Sequence, residues 1–152
     1  MDGIAAVLLI PTVSQAKARD SGEVVMPQDK MNRDFFERWG FSEAVIDGDR
    51  AYLSGIVAGM RNGETDPTAA FDRAFRMIAD VLNRSGSRWD DVIDLTKFPT
   101  DLPSQMENFV AVKQRYVRAP FPAWAAIEIH RLVPDDGLVE IKVVAPRSAK
   151  AR

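Results

Sequence analysis

The chain has no cysteine and a single histidine, His130. Disulfides, thiolate catalysis and cysteine-ligated zinc are thereby excluded. One histidine also argues against a histidine-rich metal site or a Ser-His-Asp triad, so no such metal site is expected. Positive charge is not in excess: 20 Lys and Arg against 22 Asp and Glu give a net charge of −2. Proteins built to hold nucleic acid cluster cations against phosphates, so no nucleic-acid partner is expected. The basic end at Arg147, Lys150 and Arg152 is short and reads as a solvated tail. Long apolar runs are missing too. Ile4–Ile10 is too short to span a bilayer, and no membrane partner is expected.

What is present describes one folded domain. With 46% hydrophobic and 28% charged residues over 152 positions, the chain can bury a sizeable core. Three parts are expected: an arm over residues 1–20, a domain over 21–146 and a tail over 147–152. The arm joins its apolar run to Pro11 and to the small residues Ser14, Ala16 and Ala18, but lacks a basic start. Two readings stay open. Residues 1–18 are a signal peptide of an exported or periplasmic protein, or the segment is a disordered arm of a cytoplasmic one.

Along the domain, periodicity and turn chemistry predict alternating elements. Glu23–Met26 is a short strand. Lys30–Trp39 is a helix with Met31, Phe35 and Trp39 at four-residue spacing and Gly40 as its stop. Strands over Phe41–Asp47 and Ala51–Ile56 flank a turn at Asp47–Gly48–Asp49. Asp66 caps a long helix, with Pro67 in its first turn, Phe71, Ala74, Phe75, Ile78 and Leu82 on one face, and Gly86 after it. Val92–Phe98 is a strand. A capping-box pattern at Ser104–Glu107 opens another helix, with a stripe of Met106, Phe109, Val110, Tyr116 and Val117. Two last apolar runs, Phe121–Ile129 and Leu138–Val144, flank Pro134–Gly137 and read as a β-hairpin.

The fold class is α+β. Two main helices cannot cover both faces of such a sheet and are expected on one. The other face is then left for a second copy of the chain, with ligand clefts between subunits.

Several stretches carry a family resemblance: Tyr52–Leu53–Ser54–Gly55, Ser85–Gly86–Ser87, Asp91–Val92–Ile93 leading to Thr96–Lys97–Phe98, Phe121–Pro122–Ala123 and Leu138–Val139–Glu140–Ile141. Over about residues 41–146 the chain resembles the Rid superfamily of reactive intermediate deaminases, also called the YjgF family. The resemblance implies a chorismate-mutase-like fold with a mixed sheet, a homotrimer with a barrel-like core, and small-molecule pockets at subunit interfaces. It also implies hydrolysis of imines and enamines to 2-keto acids and ammonia without metal or cofactor. A non-catalytic, ligand-binding or chaperone-like trimer is the alternative.

The resemblance assigns the catalytic carboxylate to Glu140 and the substrate-binding backbone corner to Ser54 and Gly55. It places Trp124 where the deaminases have an arginine, Phe41 where many have a tyrosine, and Ala126 where some have a cysteine. These three, with Lys113, complete the expected substrate-binding set. Indole offers one N–H and no charge, so Trp124 cannot replace a bidentate arginine. Lys113 lies in the apolar stripe of its helix, four residues after Phe109. Either it supplies the missing cation to the cleft, or its stem packs while its amine reaches water. Three further alternatives stay open. Glu140 orients water or pairs with Lys142 or another cation, Trp124 packs or stacks on ligand, and Glu128 and His130 form a structural pair.

Overall fold

The computed structural model describes residues 23–147. The expectations for residues 1–20 and 148–152 lie outside these. Seven strands, β1 Val24–Val25, β2 Ala44–Asp47, β3 Arg50–Leu53, β4 Ile56–Gly59, β5 Asp94–Pro99, β6 Ala123–Ala126 and β7 Gly137–Pro146, form one sheet. The helices are α1 Lys30–Trp39, α2 Pro67–Arg84 and α3 Leu102–Tyr116. Strand order is β1-β2-β3-β7-β5-β6, with β4 also on β7. Only β5 and β6 run parallel, so the sheet is mixed and the class is α+β, as expected.

Caps set the helix limits. In α1 the Asp29 side chain accepts from Asn32 N, and Gly40 ends the helix at φ 73°. For α2 the Asp66 side chain accepts from Thr68 N. Helix α3 starts earlier than the Ser104 pattern indicates. Asp101 is its N-cap, accepting from Ser104 N at 3.1 Å, and Pro103 lies in the first turn. Ser104 is therefore already helical.

The core lies between the sheet and α2 and α3. Alternate β7 residues Val139, Ile141, Val143 and Ala145 are buried, as are Ala51, Leu53 and Leu95. Helix α2 adds Phe71, Phe75, Ile78 and Leu82, and α3 adds Phe109 and Val112. The rings of Phe71 and Phe75 each lie 5.5 Å from that of Phe109. Truncating a ring buried like this costs about 3–5 kcal/mol. The opposite sheet face, with Tyr52, Val57, Phe98, Glu140, Lys142 and Val144, is exposed or half-buried.

Two strand expectations need correction. The last two apolar runs are not a hairpin. Strand β5 stands between β6 and β7, and β6 pairs in parallel with β5, Leu95 opposite Trp124 and Lys97 opposite Ala126. Parallel pairing needs a long crossover, and α3 supplies it. The Pro134–Gly137 turn does form, with Gly137 N donating to Pro134 O at 3.1 Å. Its Asp136 carbonyl accepts from Met60 N after β4. Nor is Ala51–Ile56 one regular strand. Tyr52 pairs with Val144 but Ile56 with Ile141, so the β3–β4 side carries one residue more than β7 at Ser54–Gly55. This bulge turns the backbone beside Glu140.

Candidate functional site

The expected site residues fall into two groups within one protomer. The first surrounds Glu140. Its cross-strand neighbours are Val57 on β4 and Phe98 on β5, which puts it on the face away from α2 and α3. The bulge brings Gly55 so close that a Cβ there would lie 1.6 Å from Glu140 Oε1. Only a residue without a side chain leaves room for the carboxylate. Ser54 fixes the corner, its hydroxyl donating to Ser42 O at 2.6 Å and its N–H to Glu43 O at 2.9 Å.

Glu140, Ser54, Gly55 and Phe41 line a cavity of about 460 Å³, together with Phe35, Phe36 and Trp39. The aromatic wall is ordered. Phe36 and Phe41 stack at 4.2 Å, and Phe35 lies 5.8 Å from Trp39. Helix α1 buries none of its residues, and its Phe35, Phe36 and Trp39 form this wall. Ser54 and Gly55 also border a second cavity of about 490 Å³, which holds Arg61, Arg73 and Arg76. Arg73 is held by Glu64 and by the Gly59 carbonyl, and Arg76 by Asp72. The Arg73 hydrogen bond is the main reason the Glu64 carboxyl sits at about 2.

Among the described residues Glu140 has no hydrogen bond or ion pair, and the pairing with Lys142 is not formed. The expected Glu128–His130 pair is also absent. Glu128 Oε2 instead accepts from Leu102 N at 2.7 Å, at the amino end of α3, where a carboxylate meets unpaired N–H groups.

The second group lies on the helix-covered face. Trp124, opposite Leu95, and Ala126, opposite Lys97, follow the same alternation as β5. The Lys113 amine stands 3.7 Å from the centroid of the Trp124 ring, a cation–π contact. Burial holds the Lys113 pKa below the ordinary lysine value. Lys113 is half-buried, and its amine meets no carboxylate among the described residues. The cavity lined by Glu140 includes none of Lys113, Trp124 and Ala126.

Lys97 was not expected. It occupies a core position of β5 between Leu95 and Pro99 and is 0% exposed. Its amine lies 3.5 Å from Met106 Sδ, 4.1 Å from the Phe109 ring centroid and 5.7 Å from that of Trp124. The alternation of Leu95, Lys97 and Pro99 was a usable signal, since it sets a cation on an apolar face.

A family model described as Endoribonuclease L-PSP matches residues 35–146. The chain belongs to this family, the YjgF/Rid group. The RutC family protein YjgH of Escherichia coli (strain K12) is 34% identical over 110 residues, 69% of this chain and 81% of that protein. The solved structure of protein YJGH gives a TM-score of 0.71 at 28% identity, covering 86% of this chain and 99% of that one. Rv2704 of Mycobacterium tuberculosis, described as a member of the YjgF/YER057c/UK114 family, also gives 0.71, at 25% identity over 83% and 99%. The α+β sheet with α2 and α3 on one face is thus the YjgF fold. Among the described residues, no helix is long and apolar enough to cross a membrane, and no cluster of three or more His, Cys, Asp or Glu would hold a metal.

Proposed function

We propose that the protein is a cofactor-independent imine and enamine hydrolase of the Rid type. The observation that carries this reading is the Glu140 carboxylate, unpaired among the described residues and seated on Gly55 in an aromatic cavity. An enamine first tautomerises to its imine. Protonated, the imine carbon is already electrophilic, so hydrolysis needs a positioned water and control of charge. Glu140 takes a proton from that water as its oxygen bonds to the carbon. Glu140 then returns this proton to the nitrogen of the adduct, ammonia leaves, and the hydroxyl proton passes to solvent as the carbonyl forms.

Phe35, Phe36, Trp39 and Phe41 favour a bulky apolar substituent over a small charged one. The missing arginine points the same way. The half-exposed sheet face suits a homotrimer. In that assembly a neighbouring copy brings Lys113, Trp124 and Ala126 to the Glu140 cavity, and Lys113 offers a point charge to an anionic substrate group. A non-catalytic ligand-binding or chaperone-like trimer is favoured by one fact, the replacement of the arginine by Trp124. Ammonia release from freshly generated imines separates the two. Acceleration that Glu140→Ala abolishes supports the hydrolase, and no acceleration over a broad panel supports the binding protein.

A further inference from the structure

Among the described residues Lys97 is a buried cation that packing does not account for. A fully buried lysine is ordinarily paired, because an ammonium moved out of water without a counter-charge is costly. Among the described residues Lys97 has no carboxylate partner. Helix α3 faces it with Met106, Phe109 and the like-charged Lys113, and β6 faces it with Trp124. Burial, and after it the charge of Lys113, lower its pKa to about 8. At neutral pH this leaves roughly 300-fold more free amine than in an ordinary lysine. A desolvated lysine beside a second cation is an activated nucleophile. Trp124, whose ring centroid lies 5.7 Å from the amine, is 41% exposed on the edge strand β6, between exposed Ala123 and Ala125.

We propose that Lys97 is a nucleophilic amine that captures small 2-keto acids as an imine beneath the Trp124 indole. The lone pair of Lys97 Nζ attacks the keto carbon, and the C=O π pair moves to oxygen. Loss of that oxygen as water takes one proton from the Lys97 amine and one from the Lys113 ammonium. The product is an iminium that keeps one proton on nitrogen, with Lys113 left neutral. A 2-keto acid is favoured over a neutral carbonyl because the Lys113 ammonium, without a counter-charge among the described residues, attracts its carboxylate. None of these steps uses Glu140.

The test is reductive trapping. The full chain is incubated with pyruvate and cyanoborohydride, then read by intact mass and tryptic mapping. The expected result is one reduced adduct on Lys97. It appears as a peptide running from Trp89 to Lys113, because trypsin no longer cuts after residue 97. Trapping should rise with pH to a midpoint near 8, exceed that of propanal, and persist in Glu140→Gln. Lys97→Arg should lower it by at least about tenfold. Label on the exposed Lys30 and Lys142 in preference to Lys97 overturns the proposal on the wild-type protein alone. Trapping unchanged in Lys97→Arg does so as well. Loss of trapping in Glu140→Gln would instead tie the adduct to the hydrolytic site and overturn its independence.

Discussion

The carboxylate of Glu140 rests on the α-carbon of Gly55. A methyl group there would lie 1.6 Å from Oε1 and 2.4 Å from Cδ. The demand is for space, since Gly55 is not among the glycines with positive φ. The bulge at Ser54–Gly55 creates the approach, and the approach fixes where the carboxylate sits.

Gly55→Ala should therefore damage the site and spare the fold. The atoms in its way end a flexible side chain, so Glu140 swings aside and stability changes by less than about 1 kcal/mol. Imine hydrolysis should fall at least about tenfold, because a misplaced base loses its water. Thermal unfolding and ammonia release on the same sample check both halves.

Lys97→Met should stabilise the protein at neutral pH. The folded pKa of Lys97, about 8, lies below the ordinary 10.5. Between these values the unfolded chain binds more protons, so wild-type stability rises with pH across that window. Below about pH 8 the cost of burying the ammonium is present in full. The substitution should gain up to about 3 kcal/mol at pH 7. Denaturant unfolding from pH 7 to 10 should show the gain shrinking as pH rises.

Trp124→Arg should not raise imine hydrolysis. The ring faces at this position hold the Lys113 amine at 3.7 Å and the Lys97 amine at 5.7 Å. A guanidinium there loses the cation–π contact and adds like-charge repulsion. Stability should drop by about 1–3 kcal/mol with no gain in imine hydrolysis. Pairing the change with Lys113→Met should recover part of the loss in thermal unfolding.

Tyr52→Glu should dissociate the proposed trimer. Tyr52 stands on the open sheet face between Val45 and Val144, its cross-strand neighbours. A carboxylate there cannot be buried against another sheet without a partner. Light scattering should give three chains per particle for the wild type and one for the variant.

Local chemistry made most elements readable in the sequence. Gly40, Asp66 and Gly86 mark helix ends as caps or stops, and these depend on neighbours a few residues away. Strand partners depend on distant residues. Phe121–Ile129 and Leu138–Val144 carry hairpin chemistry, yet β5 lies between them because α3 returns the chain beside β5. Phe41, Ser54, Gly55 and Glu140 do share one cavity. Their separation from Trp124 and Lys113 follows from which sheet face each occupies, and spacing alone did not reveal it. Lys97 is legible only through its alternation with Leu95 and Pro99, because a lysine in a strand is ordinarily solvated.

Ammonia release from imines made in place by an amino-acid oxidase, in wild type and Glu140→Gln, is the most direct test. Bulky substrates such as the imines of phenylalanine and leucine should be hydrolysed faster than that of alanine. Glu140→Gln should slow the reaction by about 100-fold or more. Hydrolysis undiminished in Glu140→Gln, or no acceleration of any imine by the wild-type protein, would contradict the assignment of Glu140.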